Sequence, residues 1–175
     1  AWEMVFSKHK HDSGGATKDG ITEVVARRYG WEGRMEDLPD QIIRSIYRNQ
    51  YIIEPQFDKV ALIDERVAFE LIDTGVNMGP GRAATFFQEW LNVFNLQGKR
   101  YADLQVDGKI GPATLEAFRK YRRWRGAEGA AVMVVALNCS QGAKYKEFAE
   151  NRETQEDFVY GWMRSRVYDQ LKGTV

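Results

Sequence analysis

Apolar residues in this chain recur at spacings of three and four between short Gly- and Pro-containing interruptions, while strand-like patterning is confined to one glycine-rich stretch, HDSGGATKDGIT, at residues 11–22. Spacings of three and four place apolar side chains on one stripe of an α-helix. A chain built this way can bury its stripes only by packing helix against helix, so a mostly α fold is expected, with six or seven helices and one small β-hairpin near the N-terminus.

Trp2, Val5 and Phe6 share one face of a first helix over residues 1–10, which starts abruptly in this sequence. Lys18, Asp19 and Gly20 read as a tight hairpin turn, and Thr22 as the N-cap of a short helix through Val24, Val25 and Tyr29 that stops at Gly30. Ile42, Ile43, Ile46 and Tyr47 form the stripe of a helix from about Pro39 to Tyr51, and Pro55 breaks the chain. Val67, Leu71 and Ile72 mark a helix over 64–77, and Gly79-Pro80-Gly81 a stop and restart. Ala84, Phe87, Trp90, Leu91 and Phe94 mark the next helix. A polar loop runs from Gln97 to Gly111, Pro112 opens a helix through Leu115, Phe118 and Trp124, and further helices are expected near 128–150 and 156–171.

Composition narrows the function. Hydrophobic residues make up 43% of the chain and aromatics 13%, enough for a real core. Lys+Arg and Asp+Glu both total 25, so the chain lacks the basic excess of a duplex-binding domain, and no nucleic-acid partner is expected. The cluster Lys120, Arg122, Arg123 and Arg125 reads first as a solvated helix end carrying cations near the negative pole of its dipole, and second as an anion contact. Cys139 is the sole cysteine, so no internal disulfide forms, and it reads as a packed core thiol. The longest apolar run, Ala130 to Leu137, falls far short of the roughly 20 residues a spanning helix needs, so a soluble monomer without a signal-peptide pattern is expected.

His9, His11 and Asp12 invite a metal reading, but zinc wants three or four converging ligands and the chain has two histidines. Neither a metal nor a cofactor is expected. Glycosidic hydrolysis needs a carboxylic acid that stays protonated to donate to the leaving oxygen, and a second group to attack or to orient water. Glu3 lies beside Trp2 and Phe6, where desolvation disfavours its charged form and raises its pKa. Asp12 opens the glycine-rich loop nine positions later, and Gly14 and Gly15 have no side chains to fill the space between that loop and the helix end. Glu3, Asp12 and Thr17 are thereby candidates to line opposite walls of a cleft.

The run WEMVF at residues 2–6, the spacing from Glu3 to Asp12, and DSGGATKDGIT at 12–22 together resemble the signature of glycoside hydrolase family 108. Further pieces follow in family order: IYRNQY (46–51), LIDTGVNMGPGRAATFFQEWLNV (71–93), VDGKIGPATLEAF (106–118), which is similar to the companion peptidoglycan-binding motif, and FVYGWMRSRV (158–167). The resemblance implies a lysozyme-like fold, with a catalytic lobe over 1–78 and a helical peptidoglycan-binding lobe over 79–175 in one compact unit. It implies cleavage between N-acetylmuramic acid and N-acetylglucosamine in the wall of a bacterium or phage-infected bacterium, after synthesis in the cytoplasm. The acid carries over to Glu3, with Asp12 and Thr17 holding water or the developing sugar cation. Tyr51, Asp73, Asn77 and Gln88 match motif positions and are substrate-binding candidates, as is Asp107 of the companion motif; Asp19 stands where the family more usually has an aromatic or small polar residue and joins them as a spare carboxylate near the cleft. Met4-Val5 stands where the family usually has a double glycine, and another register sets Lys10 in the acid's place. That register corresponds to the alternative reading, a non-catalytic peptidoglycan-binding or secretion-associated module.

Overall fold

The computed structural model describes residues 17–169. They contain seven α-helices and one two-stranded antiparallel sheet, and they divide into two compact units at Gln50/Tyr51. The helix expected over residues 1–10 lies outside the described residues.

The first unit begins with the hairpin. Strand β1 (Thr17–Lys18) pairs with β2 (Ile21–Thr22), Thr17 opposite Thr22 and Lys18 opposite Ile21, which leaves a two-residue loop. Asp19 and Gly20 both have positive φ, 48° and 77°. An Asp-Gly pair in that conformation matches the twist of the flanking strands. The tip is tied down from two sides. Tyr47 Oη donates to the Asp19 carbonyl at 2.7 Å, and Lys18 Nζ donates to the carbonyls of Glu36 and Leu38 at 2.9 and 2.8 Å. Thr22 caps helix α1 (Glu23–Arg28) by accepting from Val25 N at 3.4 Å. A 3₁₀ turn over Met35–Asp37 leads into α2 (Asp40–Arg48), which passes into a π-helical turn at Asn49–Ile53. Ile21, Ala26, Met35, Leu38, Ile43 and Ile46 form this unit's core.

Gly20 is a position in this unit where a side chain is poorly tolerated. A Cβ there would stand 2.6 Å from Tyr47 Oη, on a backbone already at positive φ. Gly20→Ala is expected to cost about 2 kcal/mol, seen as a lower urea midpoint at unchanged slope. An unchanged midpoint would mean that the Tyr47 tether contributes nothing.

The regular structure of the second unit is all helical, with a stretch of turn and loop over 94–111 between two of its helices. Helix α3 (Phe57–Ala61) precedes α4 (Glu65–Met78), which Asp64 caps by accepting from the amides of Arg66 and Val67. Gly79 ends α4, and Pro80 opens α5 (Pro80–Val93) at the position where a missing N–H costs nothing. Helix α6 (Pro112–Asn151) is interrupted at Gly126, whose φ/ψ of 63°/−155° is non-helical. The two helices expected either side of that point are thus the two segments of α6, separated by a kink at Gly126. Helix α7 (Glu156–Trp162) and a π-helical turn (Met163–Tyr168) follow. One apolar cluster joins Phe57 and Val60 of α3, Val67 and Leu71 of α4, Phe87 and Leu91 of α5, and Phe118, Met133 and Leu137 of α6. Phe87 and Phe118 meet edge to face with centroids 5.0 Å apart.

Two details differ from expectation. Helix α3 has only five residues, too few for a periodic stripe to show. Cys139, expected in the core, is exposed, because Met133, Leu137 and Gln141 occupy the inward face of α6 and Cys139 falls on the other side with Val132 and Val135. Among the described residues, no helix is long and apolar enough to cross a membrane.

Candidate functional site

Glu3 and Asp12 lie outside the described residues. Thr17 and Asp19 are both exposed on the hairpin, whose backbone is held by the Tyr47 and Lys18 tethers. The loop therefore presents a hydroxyl and a carboxylate on a fixed backbone. Beside it in sequence, α1 and α2 frame an open depression of about 390 Å³ lined by Tyr29, Gln41, Ile42, Ser45 and Ile46. An aromatic ring, an amide and a hydroxyl around a shallow hollow are the groups that contact sugars. Sequence reading missed this hollow because Gln41 and Ser45 are ordinary polar positions on an amphipathic helix until α1 is packed beside them.

The remaining candidates fall in the second unit, and their surroundings differ sharply. Tyr51 is half-buried in the π-helical turn. Asn77 is exposed and donates back to the Asp73 carbonyl of its own helix at 2.8 Å. Gln88 is buried, and both ends of its amide are occupied. Nε2 donates to Asp107 Oδ1 and the Lys109 carbonyl, both at 2.9 Å, and to Thr114 Oγ1 at 3.2 Å; Oε1 accepts from the amides of Asp107 and Gly108 at 3.1 and 2.9 Å. One side chain of α5 thus pins the whole DGKIG turn that starts α6. Gly108 belongs to the same joint: at φ 70° its missing Cβ would stand 2.9 Å from the Gly81 carbonyl. Asp107 is exposed, and its carboxyl is held below the usual range by the Gln88 hydrogen bond first and by the Lys109 amide second, so it stays ionised.

Gln88→Leu keeps the volume and removes every one of these bonds. It is expected to lower stability by about 2 kcal/mol, the cost of leaving several polar groups of the turn without partners. Amide exchange should accelerate at Asp107 and Gly108 in particular. Unchanged protection at those two amides would show that water replaces the glutamine without loss.

Asp73 belongs to a buried polar cluster that the sequence pattern did not single out. Arg166, from the π-helical turn, pairs with Asp73 Oδ1, and Gln141 Nε2 donates to Asp73 Oδ2 at 3.4 Å and to Thr74 Oγ1 at 3.2 Å. Next to them Glu70 is only 1% exposed. Its pKa is raised to about 7, chiefly by burial and further by the neighbouring Asp73 charge, against opposing hydrogen bonds from Asn138 and Thr74. Acceptors outnumber donors here, since Asn138 Oδ1 and Gln141 Oε1 have no partner. A proton on Glu70 supplies a donor that this cluster lacks. The only sequence clue was a charged residue on the apolar stripe of α4, one position before Leu71.

Comparison with known families adds the chemistry. Residues 1–79 match the family described as Glycosyl hydrolase 108, and residues 82–167 match a Predicted Peptidoglycan domain. The two matches meet at Gly79-Pro80-Gly81, the junction of α4 and α5. The second unit therefore takes α3 and α4 from the hydrolase match and α5 to α7 from the peptidoglycan match, and one apolar cluster runs through both. The chain matches none of the curated proteins.

Proposed function

Starting from a glycosyl hydrolase 108 segment followed directly by a peptidoglycan segment, we propose that this protein is a muramidase that cleaves the bond between N-acetylmuramic acid and N-acetylglucosamine in the bacterial cell wall. The order of those two matches along one chain is the observation that carries the reading. In it, residues 1–78 perform the cleavage and 79–175 hold the wall polymer.

Glu3 is the general acid. It donates its proton to the glycosidic oxygen as the bond to the sugar breaks. Asp12 and Thr17 hold the attacking water or steady the positive charge that develops on the sugar. The tethered hairpin supports this role, because a hydroxyl on a fixed backbone loses little entropy in binding. Asp19, Tyr51 and the Tyr29–Gln41–Ser45 hollow contact saccharide, and the ionised Asp107 contacts the polymer from the second unit. Asp73, Asn77 and Gln88 act on substrate indirectly, through the helices and the turn that they hold.

Purified protein incubated with sacculi is expected to release fragments with new reducing ends at N-acetylmuramic acid. Met4-Val5, in place of the family's double glycine, favours a second reading in which the chain binds wall without cutting it. Retention on sacculi with no new reducing ends would establish that reading and overturn hydrolysis.

A further inference from the structure

The first half of α6 concentrates positive charge in a chain whose net charge is zero. Much of it is neutralised locally. Arg122 pairs with Asp64 at 2.9 Å, and Arg119 and Arg123 pair with Glu116 at 3.7 and 3.5 Å. Two cations of this half, and Arg100 from the preceding loop, are not. Arg100 and Arg125 both lie over the Trp124 ring, 4.6 and 3.7 Å from its centroid, and Lys120 stands one helical turn before Trp124 on the same face. All three are exposed, and none makes an ion pair among the described residues.

Stacking on an indole orients a guanidinium without cancelling its charge, and it leaves the N–H edge free to donate. Two guanidiniums fixed in this way, with an ammonium beside them, make a preorganised receptor for carboxylates. The same stacking covers the ring that a sugar would otherwise use, so the surface suits the anionic part of a wall polymer better than its glycan.

We propose that Arg100, Lys120 and Arg125, arrayed around Trp124, bind the free carboxylates of peptidoglycan stem peptides. The proposal rests on the wall-binding reading of residues 82–167, the match that contains all four residues. It gives that segment a specificity: peptide carboxylates are gripped here, while the glycan is left to the hydrolase segment.

The test uses the full chain and the variant Arg100→Gln/Lys120→Gln/Arg125→Gln, which keeps the aliphatic stems over the indole. Sacculi stripped of teichoic acids are the probe, with a second batch whose stem carboxylates are blocked as amides. Binding of the parent to stripped sacculi is expected to weaken about tenfold in the variant, the sum of three exposed contacts of ordinary strength. It should also weaken about tenfold on blocked sacculi and lose its salt sensitivity there. Equal binding and equal salt dependence of parent and variant would overturn the proposal while leaving wall binding intact. A parent that binds teichoic-acid-bearing walls through these residues but not stripped sacculi would overturn it in favour of a phosphate polymer. A parent that binds neither would remove the wall-binding reading along with it.

Discussion

Glu3→Gln is expected to abolish release of reducing ends from sacculi, lowering the rate by about a thousandfold, with helix content and unfolding midpoint unchanged. The substitution keeps the size and polarity of the side chain and removes only the exchangeable acid proton. Without that proton the leaving sugar oxygen departs as an alkoxide, and the barrier rises by about 4 kcal/mol. Binding to sacculi should survive, because the wall contacts proposed above lie elsewhere in the chain. Fragment release at the parental rate would show that another group supplies the proton. The register that sets Lys10 in the acid's place makes the opposite prediction: no hydrolysis in the parent, and so no effect of the substitution.

The second large effect is on stability, and it comes from Glu70. In the unfolded chain this carboxyl titrates near 4.5; in the folded protein it titrates near 7, because ionising it would bury a charge beside Asp73. A raised carboxyl pKa means the native state holds its proton more tightly than the unfolded chain does. The corresponding stabilisation is complete below pH 4.5 and is lost as pH rises through 7. At pH 8 the parent is expected to be about 3 kcal/mol less stable, from this group alone, than at pH 4.5. Glu70→Gln supplies a permanent neutral donor. It should unfold at nearly the parental urea midpoint at pH 4.5 and at a clearly higher one at pH 8. All other groups titrate in both proteins, so the difference between the two pH profiles isolates Glu70. Parallel profiles would mean that Glu70 is ionised at neutral pH and compensated where it sits.

Tyr145, in the same cluster, stays neutral across this range, since burial pushes its hydroxyl upward. The charged partners in this part of the fold are therefore Asp73 and Arg166. Their ion pair links α4 to the π-helical turn over Met163–Tyr168. The turn and α7 contain no fully buried residue, and this pair is joined by the Tyr145–Trp162 ring contact at 5.2 Å and by Met163 and Val167 beside Gly142 in attaching them to α4 and α6.

Much of this architecture was legible before any coordinates. The Asp19-Gly20 turn, the Thr22 cap, the Gly79-Pro80 restart and the break of α6 near residue 126 all appear where residue type and spacing put them. Each is a local device, settled by the conformational preference of one or two residues or by a hydrogen bond a few positions away. The same locality explains the resemblance of the glycine-rich loop to a hydrolase motif, since a motif is a short stretch whose spacing survives in the sequence.

What sequence could not supply depended on partners far along the chain. Gln88 looks like a surface polar residue until Asp107, 19 positions later, is folded onto it. Cys139 looked like core until the packing of α6 decided which of its faces turned inward. Glu70 becomes an acid with a pKa near 7 only when folding buries it beside Asp73. Arg100 reaches Trp124 across 24 positions. Local order was therefore written in neighbouring residues, through backbone preference and capping. Burial, and with it the protonation of Glu70 and the free charge around Trp124, came only from packing, because desolvation depends on every segment that surrounds a group and not on the segment that carries it.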